Sequence, residues 1–177
     1  LLIELYYWSQ STTSIHQHAF SGAFVPINGE SLHTCYQFTL DKLFCGDLVT
    51  GRLDWEESEI LKAGAIRPIH MGTKFVHSLF HLDNPSLTLC VRTRNFDPRE
   101  EPQYAYGQSG IGYNPFFLNP NLKRDVQMLE NVLKLCPDNF ADYWLERLEL
   151  ADAHECFVLA VEMYKLLTGN HPVMEKV

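Results

Sequence analysis

Short apolar runs separated by turn residues fill the first half of the 177-residue chain. These runs cover residues 2–8, 14–25, 32–40, 51–55, 65–69, 75–82 and 86–92. Asn28-Gly29 lies between two of the runs and is a strong hairpin signal, because both residues tolerate the positive φ of a type I′ turn. Regularly spaced short strands of this kind predict a sandwich or a closed barrel over residues 1–94.

The pattern changes after residue 94. Residues 95–120 are rich in Pro, Gly, Asn and Tyr without a clear period, and we interpret them as an ordered arm that covers the barrel. We expect the aromatic side chains from Tyr104 to Phe117 to pack the following helices onto the barrel rather than to cover the opening of the barrel. Residues 121–177 carry apolar side chains at helical spacing and predict a helical extension, packed on the barrel as one structural unit.

Composition and charge exclude several classes of protein. The apolar fraction of 46% is typical of a globular chain, and a net charge of −8 argues against a nucleic-acid partner, which requires a basic face. Five scattered cysteines without a C-x-x-C pair indicate reduced thiols in a cytoplasmic protein. No apolar run reaches the ~20 residues of a membrane span. Because the sequence opens inside a predicted strand, we expect a further segment to precede Leu1.

Histidines in the strand-rich half are the candidate metal ligands. His16 and His18 are two positions apart on a predicted strand, so both imidazoles lie on one face, about 7 Å apart at the backbone. From that separation two imidazoles can bind one ion at about 2.1 Å. A lone His-x-His pair is more often a chance pair on a solvated face. His77 and His81 share one face of a later run and are the candidates for a third ligand.

Two stretches of the chain resemble the motifs of the cupin superfamily. Residues 15–18 followed by 26–30 resemble the first motif, and residues 64–72 with His77 downstream resemble the second. His70 replaces the proline of the second motif, and the spacing before His77 is two residues longer. The resemblance covers residues 1–94. It implies a mainly β fold, a cupin-type double-stranded β-helix or jelly-roll barrel, here with a C-terminal α-helical extension.

The resemblance also implies a metal site. It assigns His16, His18 and His77 as ligands of one divalent ion, with His81 as the alternative third ligand or otherwise a residue that contacts a ligand ring or the substrate. The glutamate ligand of many cupins would fall at residue 22 or 23, where Gly and Ala cannot bind metal. This absence resembles the three-histidine cupins, of which the cysteine dioxygenase group is best known. Such a site suits Fe(II), while Zn, Mn and Ni are alternatives.

The resemblance to the cysteine dioxygenase group ends at the metal. Cys90 and Arg92 stand where that group carries a histidine and a tyrosine, so cysteine is not implied as the substrate. Arg92 either binds a substrate carboxylate or phosphate, or pairs with an acid such as Asp83 at the rim of the barrel. We expect Cys90 to be a small buried residue rather than a nucleophile.

Two further residues are candidates for contact with the substrate. Tyr36 lies on an early strand from which its side chain can project into the barrel. His33 lies on the strand predicted to pair with the His16–His18 strand. We interpret His33 as an ordinary strand residue, with a position facing the cavity as the alternative.

The leading functional hypothesis is a mononuclear non-haem Fe(II) dioxygenase that acts on O₂ and a small organic substrate, a thiol or a carboxylate. The alternatives are a Zn-, Mn- or Ni-dependent cupin isomerase or hydrolase, and a non-enzymatic cupin that binds a small molecule. In the last case the helices would form a partner surface, for example in a homodimer.

Overall fold

The computed structural model describes residues 1–9, 12–94, 102–115 and 120–168. The chain divides into two compact units, Leu1–Phe116 and Phe117–Val177. All the described strands belong to the first unit and all the described helices to the second. The division into residues 1–94, 95–120 and 121–177 and the packing of the helices on the barrel stay predictions.

The first unit consists of two antiparallel sheets. The strands are β1 (Leu2–Trp8), β2 (Ile15–His18), β3 (Gly22–Asn28), β4 (Ser31–Cys45), β5 (Leu48–Leu61), β6 (Arg67–Ile69), β7 (Gly72–His81), β8 (Ser86–Arg92), β9 (Ala105–Tyr106) and β10 (Ile111–Tyr113). One sheet has the order β1-β8-β3-β6, and the second closes into a barrel with the order β10-β5-β4-β7-β2-β9. Eight strands distributed as 1-8-3-6 and 5-4-7-2 form a jelly roll. The predicted fold class, a mainly β jelly-roll barrel followed by helices, is confirmed.

Residues of both sheets fill the interior of the first unit. On β8, Ser86, Thr88 and Cys90 are buried, as the two-residue period of a strand with one inward face requires. One buried cluster is formed by the side chains of Phe20, Phe24, Leu61, Ile69, Leu79 and Cys90. A second cluster is formed by those of Phe38, Val49, Val76, Tyr104 and Tyr106.

Two predictions about the early strands are wrong. Residues 14–25 form not one strand but two, β2 and β3, which belong to different sheets. Gly29 does have the expected positive φ of 84°, yet β3 and β4 on either side of it do not pair. The expected conformation is thus found at Gly29, but in a jelly roll a turn can lead from one sheet to the other rather than close a hairpin.

The predicted covering arm contributes strands to the barrel. β9 pairs with β2, and β10 pairs with β5 and β9, which closes the second sheet. Tyr104 and Tyr106 are buried beside Phe38 and Val76 within the first unit, and the expectation that the aromatic residues of the arm pack the helices onto the barrel stays a prediction. Phe117, the last aromatic residue of the arm, lies outside the described residues.

The second unit contains three helices, α1 (Pro120–Leu135), α2 (Phe140–Leu150) and α3 (Ala153–Thr168). α1 ends at Leu135, two residues before Pro137, because proline cannot continue a helix. A 3₁₀ turn, Pro137–Asn139, then leads into α2. At the start of α3, Asp152 and Glu155 each accept a hydrogen bond from the other's main-chain N–H, a capping box. The helices enclose a core of Leu122, Leu129, Phe140 and Leu159. No described helix is long and apolar enough to cross a membrane.

Candidate metal centre

Strand pairing brings the three sequence-predicted histidines together. β2 and β7 are neighbours, with His16 directly opposite His77, and the register shifts between His16 and His18. One ligand atom from each of the three rings lies within 4.8 Å of the others, which makes them the group of described residues able to hold a metal ion. His18 and His77 are buried, and His16 is half-buried.

Hydrogen bonds on the outer side of two rings set their tautomers. Nδ1 of His16 lies 2.7 Å from the carbonyl oxygen of Ser14, which can only accept, so this nitrogen carries the proton and Nε2 keeps its lone pair. Nδ1 of His77 lies 3.0 Å from Nε2 of His33. A proton on Nδ1 of His77 likewise leaves Nε2 of that ring free to bind a metal.

The third ring completes a donor set of the right size. Nε2 of His18 lies 2.9 Å from Nε2 of His77. Two ligands at right angles on an ion with bonds of about 2.1 Å are about 3.0 Å apart, so these nitrogens have the spacing of neighbouring ligands. Nδ1 of His18 is buried without a described hydrogen-bond partner. The residues present therefore fit a single divalent ion of the kind that imidazole favours.

Burial keeps the three rings neutral. It lowers the pKa of His18 to about 3, with smaller contributions from His16 and Arg92. It also lowers the pKa of His16 and holds that of His77 well below its ordinary value. Because a metal binds the neutral imidazole, rings that resist protonation stay available as ligands below neutral pH.

A polar chain continues from His77 to the surface. Nδ1 of His33 lies 3.0 Å from Oε1 of Glu59, and Arg67 on β6 donates to both oxygens of that carboxylate, with a 2.6 Å bond from Nε to Oε1. The hydrogen bond from Arg67 lowers the pKa of Glu59 to about 2, against the opposing effect of burial. Because the carboxylate only accepts, His33 donates through Nδ1 and accepts from His77 through Nε2.

The series of hydrogen bonds from His77 through His33 and Glu59 to Arg67 was not predicted from the sequence. The expectation that the strand of His33 pairs with that of His16 is wrong, because β7 lies between β4 and β2. His33 therefore reaches His77 from the side opposite His16, and it is a polar partner of His77 rather than an ordinary strand residue. Glu59 and Arg67 come from two further strands, and nothing in the sequence marks them as partners of His33.

The three histidines line a cavity of about 480 Å³ inside the first unit. This volume lies within the range of ~300–1,000 Å³ usual for small-molecule sites. Its described wall is largely apolar and includes Trp8, Phe20, Phe24 and Leu79. A cavity of this size beside the histidines leaves room for a small organic molecule.

Arg92 does not face the cavity as a free cation. Its Nε and Nη2 atoms donate to the two carboxylate oxygens of Glu4 at 2.6 and 2.8 Å, and its guanidinium lies 4.4 Å from the centre of the Phe20 ring. The predicted pairing with an acid is found, but the acid is Glu4 rather than Asp83. The carboxylate of Asp83 instead accepts from the main-chain N–H of Glu30.

His81, Tyr36 and Cys90 do not belong to the group of three rings. His81 stacks on Trp8 with ring centres 4.6 Å apart and has Ser31 Oγ 2.9 Å from Nδ1, so the structure does not bring it into the cluster. Tyr36 packs beside the second buried cluster and lines a different cleft, together with Glu59 and Arg67. Cys90 is buried in the cavity wall, and burial raises the pKa of its thiol.

Comparisons with known proteins add a likeness of fold at low similarity. No protein-family model matches the sequence, and no curated protein matches it. Among solved structures, the capsular polysaccharide assembling protein CapF of Staphylococcus aureus is 12% identical with a TM-score of 0.41, over 58% of this chain and 25% of its own. The RmlC epimerase of Mycobacterium tuberculosis is 13% identical with a TM-score of 0.40, over 59% and 50%.

Oxalate oxidase in complex with glycolate is 17% identical with a TM-score of 0.37, over 80% of this chain and 63% of its own. The chain thus spans less than two thirds of each of these proteins. Likenesses this distant carry no argument about function, which has to come from the site itself.

Proposed function

We propose that this chain is a metal-dependent enzyme of the cupin superfamily in which His16, His18 and His77 hold one divalent ion. The observation that supports this most strongly is the convergence of three imidazoles, with ligand atoms within 4.8 Å of one another, on the wall of a cavity. Three neutral imidazoles bind a first-row transition metal through nitrogen and leave further coordination positions open.

The finer proposal is a mononuclear non-haem Fe(II) dioxygenase acting on a small organic substrate. Imidazole suits ferrous iron, and the described cluster contains no carboxylate. Ferrous iron, when bound, would supply the redox chemistry by which dioxygen reacts with an organic molecule.

The chain's own residues have three tasks in this proposal. The Ser14 carbonyl and the His33 ring hold the Nδ1 protons of His16 and His77, which keeps both Nε2 atoms aimed at the ion. The Phe20 and Phe24 rings line the cavity and exclude water from it. The hydrogen bonds that link His33, Glu59 and Arg67 keep the His77 ring in place.

Oxygen consumption tests the dioxygenase proposal. The chain is purified without oxygen, loaded with Fe(II) or, as the matched control, with Zn(II), and mixed with a panel of phenols and thiols in an oxygen electrode. We expect oxygen uptake with the iron-loaded chain and a member of the panel, and none with the zinc-loaded chain. Equal turnover of a probe by the Zn-, Mn- or Ni-loaded chain without oxygen uptake would replace the dioxygenase with an isomerase or hydrolase. The cytoplasmic location and the homodimer stay predictions.

A further inference from the structure

The wall of the cavity beside the histidines offers an organic ligand aromatic and aliphatic contacts. It includes Trp8, Phe20, Phe24, Ile69 and Leu79, and its polar side chains apart from the histidines carry hydroxyls, an indole N–H, one thiol and one amide. Among the described residues, no Asp, Glu, Lys or Arg lines it. Away from the metal ion, a charged group of a ligand would lose its hydration here without an opposite charge from the protein, whereas an aromatic ring would gain buried area.

The arginine near this wall is already neutralised. The Arg92 side chain is 19% exposed and binds both oxygens of Glu4. The Tyr6 hydroxyl, on a ring that lines the cavity, donates to the same carboxylate at 2.7 Å. A ligand carboxylate would have to displace Glu4 to reach Arg92, which would exchange one ion pair for another without gain.

The aromatic part of the wall is held in place. Trp8 stacks on His81 and on Tyr6, with ring centres 4.6 and 5.6 Å apart, and its Nε1–H donates to the Thr88 hydroxyl at 3.3 Å. A side chain fixed on several sides loses little conformational freedom when a ligand binds. The cavity is therefore pre-formed for a flat apolar body.

From these contacts we infer that the substrate class is an uncharged, mainly aromatic molecule. One hydroxyl, thiol or carbonyl group would serve as its metal ligand, and no other group of the molecule would carry a charge. This inference rests on the proposed function, because it takes the cavity as the substrate site of the metal centre. It excludes the carboxylates that an unpaired Arg92 would have favoured as substrates.

A matched pair of probes tests the inference on the metal-free full chain. 2-Naphthol and 2-naphthoate share one ring system and differ in charge at neutral pH. Their affinities are measured by calorimetry, and the site of binding by the indole N–H resonance of Trp8, assigned with Trp8→Phe. We expect the Kd of 2-naphthol to be at least about tenfold lower than that of 2-naphthoate, with a shift of the Trp8 resonance.

Two variants sharpen this test. Glu4→Gln leaves the Arg92 charge without its partner and is expected to strengthen 2-naphthoate binding at least about fivefold. Asp54→Asn makes the same chemical change at the exposed pair of Arg52 and Asp54 and should alter neither Kd. Equal or tighter binding of 2-naphthoate to the unaltered chain would overturn the inference. If the chain binds no metal but keeps the preference for 2-naphthol, the proposed function fails while the ligand class of the cavity stands.

Discussion

Nε2 of His33 lies 3.0 Å from Nδ1 of His77, whereas the other nitrogen of the His77 ring, Nε2, lies 2.9 Å from Nε2 of His18. His33 in turn donates to Glu59, whose carboxylate is bound by Arg67. Residues from three strands, β4, β5 and β6, thus form a polar series that ends on the His77 imidazole. Outer partners of this kind orient a ligand ring, select its tautomer and raise its basicity.

Replacing the Glu59 carboxylate, which holds His33 in place, should weaken metal binding. Glu59→Gln keeps the size of the side chain but removes the charge that fixes the proton on Nδ1 of His33. We expect the affinity for Zn(II) or Fe(II), measured by competition with a chelator, to fall about 10- to 100-fold.

Glu57 provides the matched control, because it lies two residues away on the same strand and is exposed. Glu57→Gln should bind metal as the unaltered chain does. Equal affinities in the unaltered chain and in Glu59→Gln would show that His77 is held by packing alone.

The stabilising effect of the Glu59 carboxylate should depend on pH. The hydrogen bond from Arg67 holds the pKa of Glu59 at about 2, against 4.5 for an unperturbed glutamate. A lowered carboxyl pKa stabilises the fold above pH 4.5, and the effect is lost as the pH falls towards 2. The difference in unfolding free energy between the unaltered chain and Glu59→Gln, measured by urea titration, should therefore shrink between pH 7 and pH 3. A difference that stays constant over this range would contradict the role of the ion pair.

Gly22 is one of the two positions where the resemblance to cupins would place a glutamate ligand, and the structure gives a reason for glycine there. A Cβ atom at this position would lie 2.3 Å from the carbonyl oxygen of Val91 on β8. Gly22→Ala should therefore destabilise the fold by about 1–3 kcal/mol in urea titration, because β3 and β8 would have to move apart. At Gly46 an added Cβ meets nothing within 4 Å, so Gly46→Ala should change stability by less than about 1 kcal/mol. Equal effects of the two changes would count against this close approach of β3 and β8.

Much of the fold follows from the pattern of the sequence. The runs at residues 2–8 and 86–92 coincide with β1 and β8, because short strands with alternating or continuous apolar residues are local features. The lengths of β4 and β5 were underestimated, since their outer parts carry charged and exposed residues. The strands β9 and β10 have only two and three residues, which is too short for a period to show.

The sequence predicts part of the candidate site but not all of it. His16, His18 and His77 are marked by spacing and by the resemblance to cupin motifs, and the structure brings the three rings together. His33 and Glu59 are not marked, because their role depends on which strands are neighbours. The wrong pairing of the His33 strand concealed the contact with His77.

The hairpin that closes the barrel should depend on one buried amide. Gln17 is 2% exposed, accepts from the Tyr106 hydroxyl and donates to the carbonyl oxygen of Pro102 at 2.7 Å. Tyr106→Phe leaves the Gln17 oxygen without this donor and should cost about 1–3 kcal/mol of unfolding free energy. Tyr7→Phe is the control, because Tyr7 is 66% exposed, and it should change stability by less than about 0.5 kcal/mol. A similar, small effect of both changes would show that Gln17 is satisfied in another way.

The most direct test of the metal centre is the number of ions bound per chain. The chain and its His18→Ala, His77→Ala and His81→Ala variants are purified without oxygen, checked for folding by circular dichroism and loaded with Fe(II) or Zn(II). Elemental analysis should find one ion per chain in the unaltered protein and in His81→Ala, and a loss of the ion in His18→Ala and His77→Ala. Retention of the ion in folded His77→Ala, or its loss in His81→Ala alone, would contradict the assignment of the three ligands.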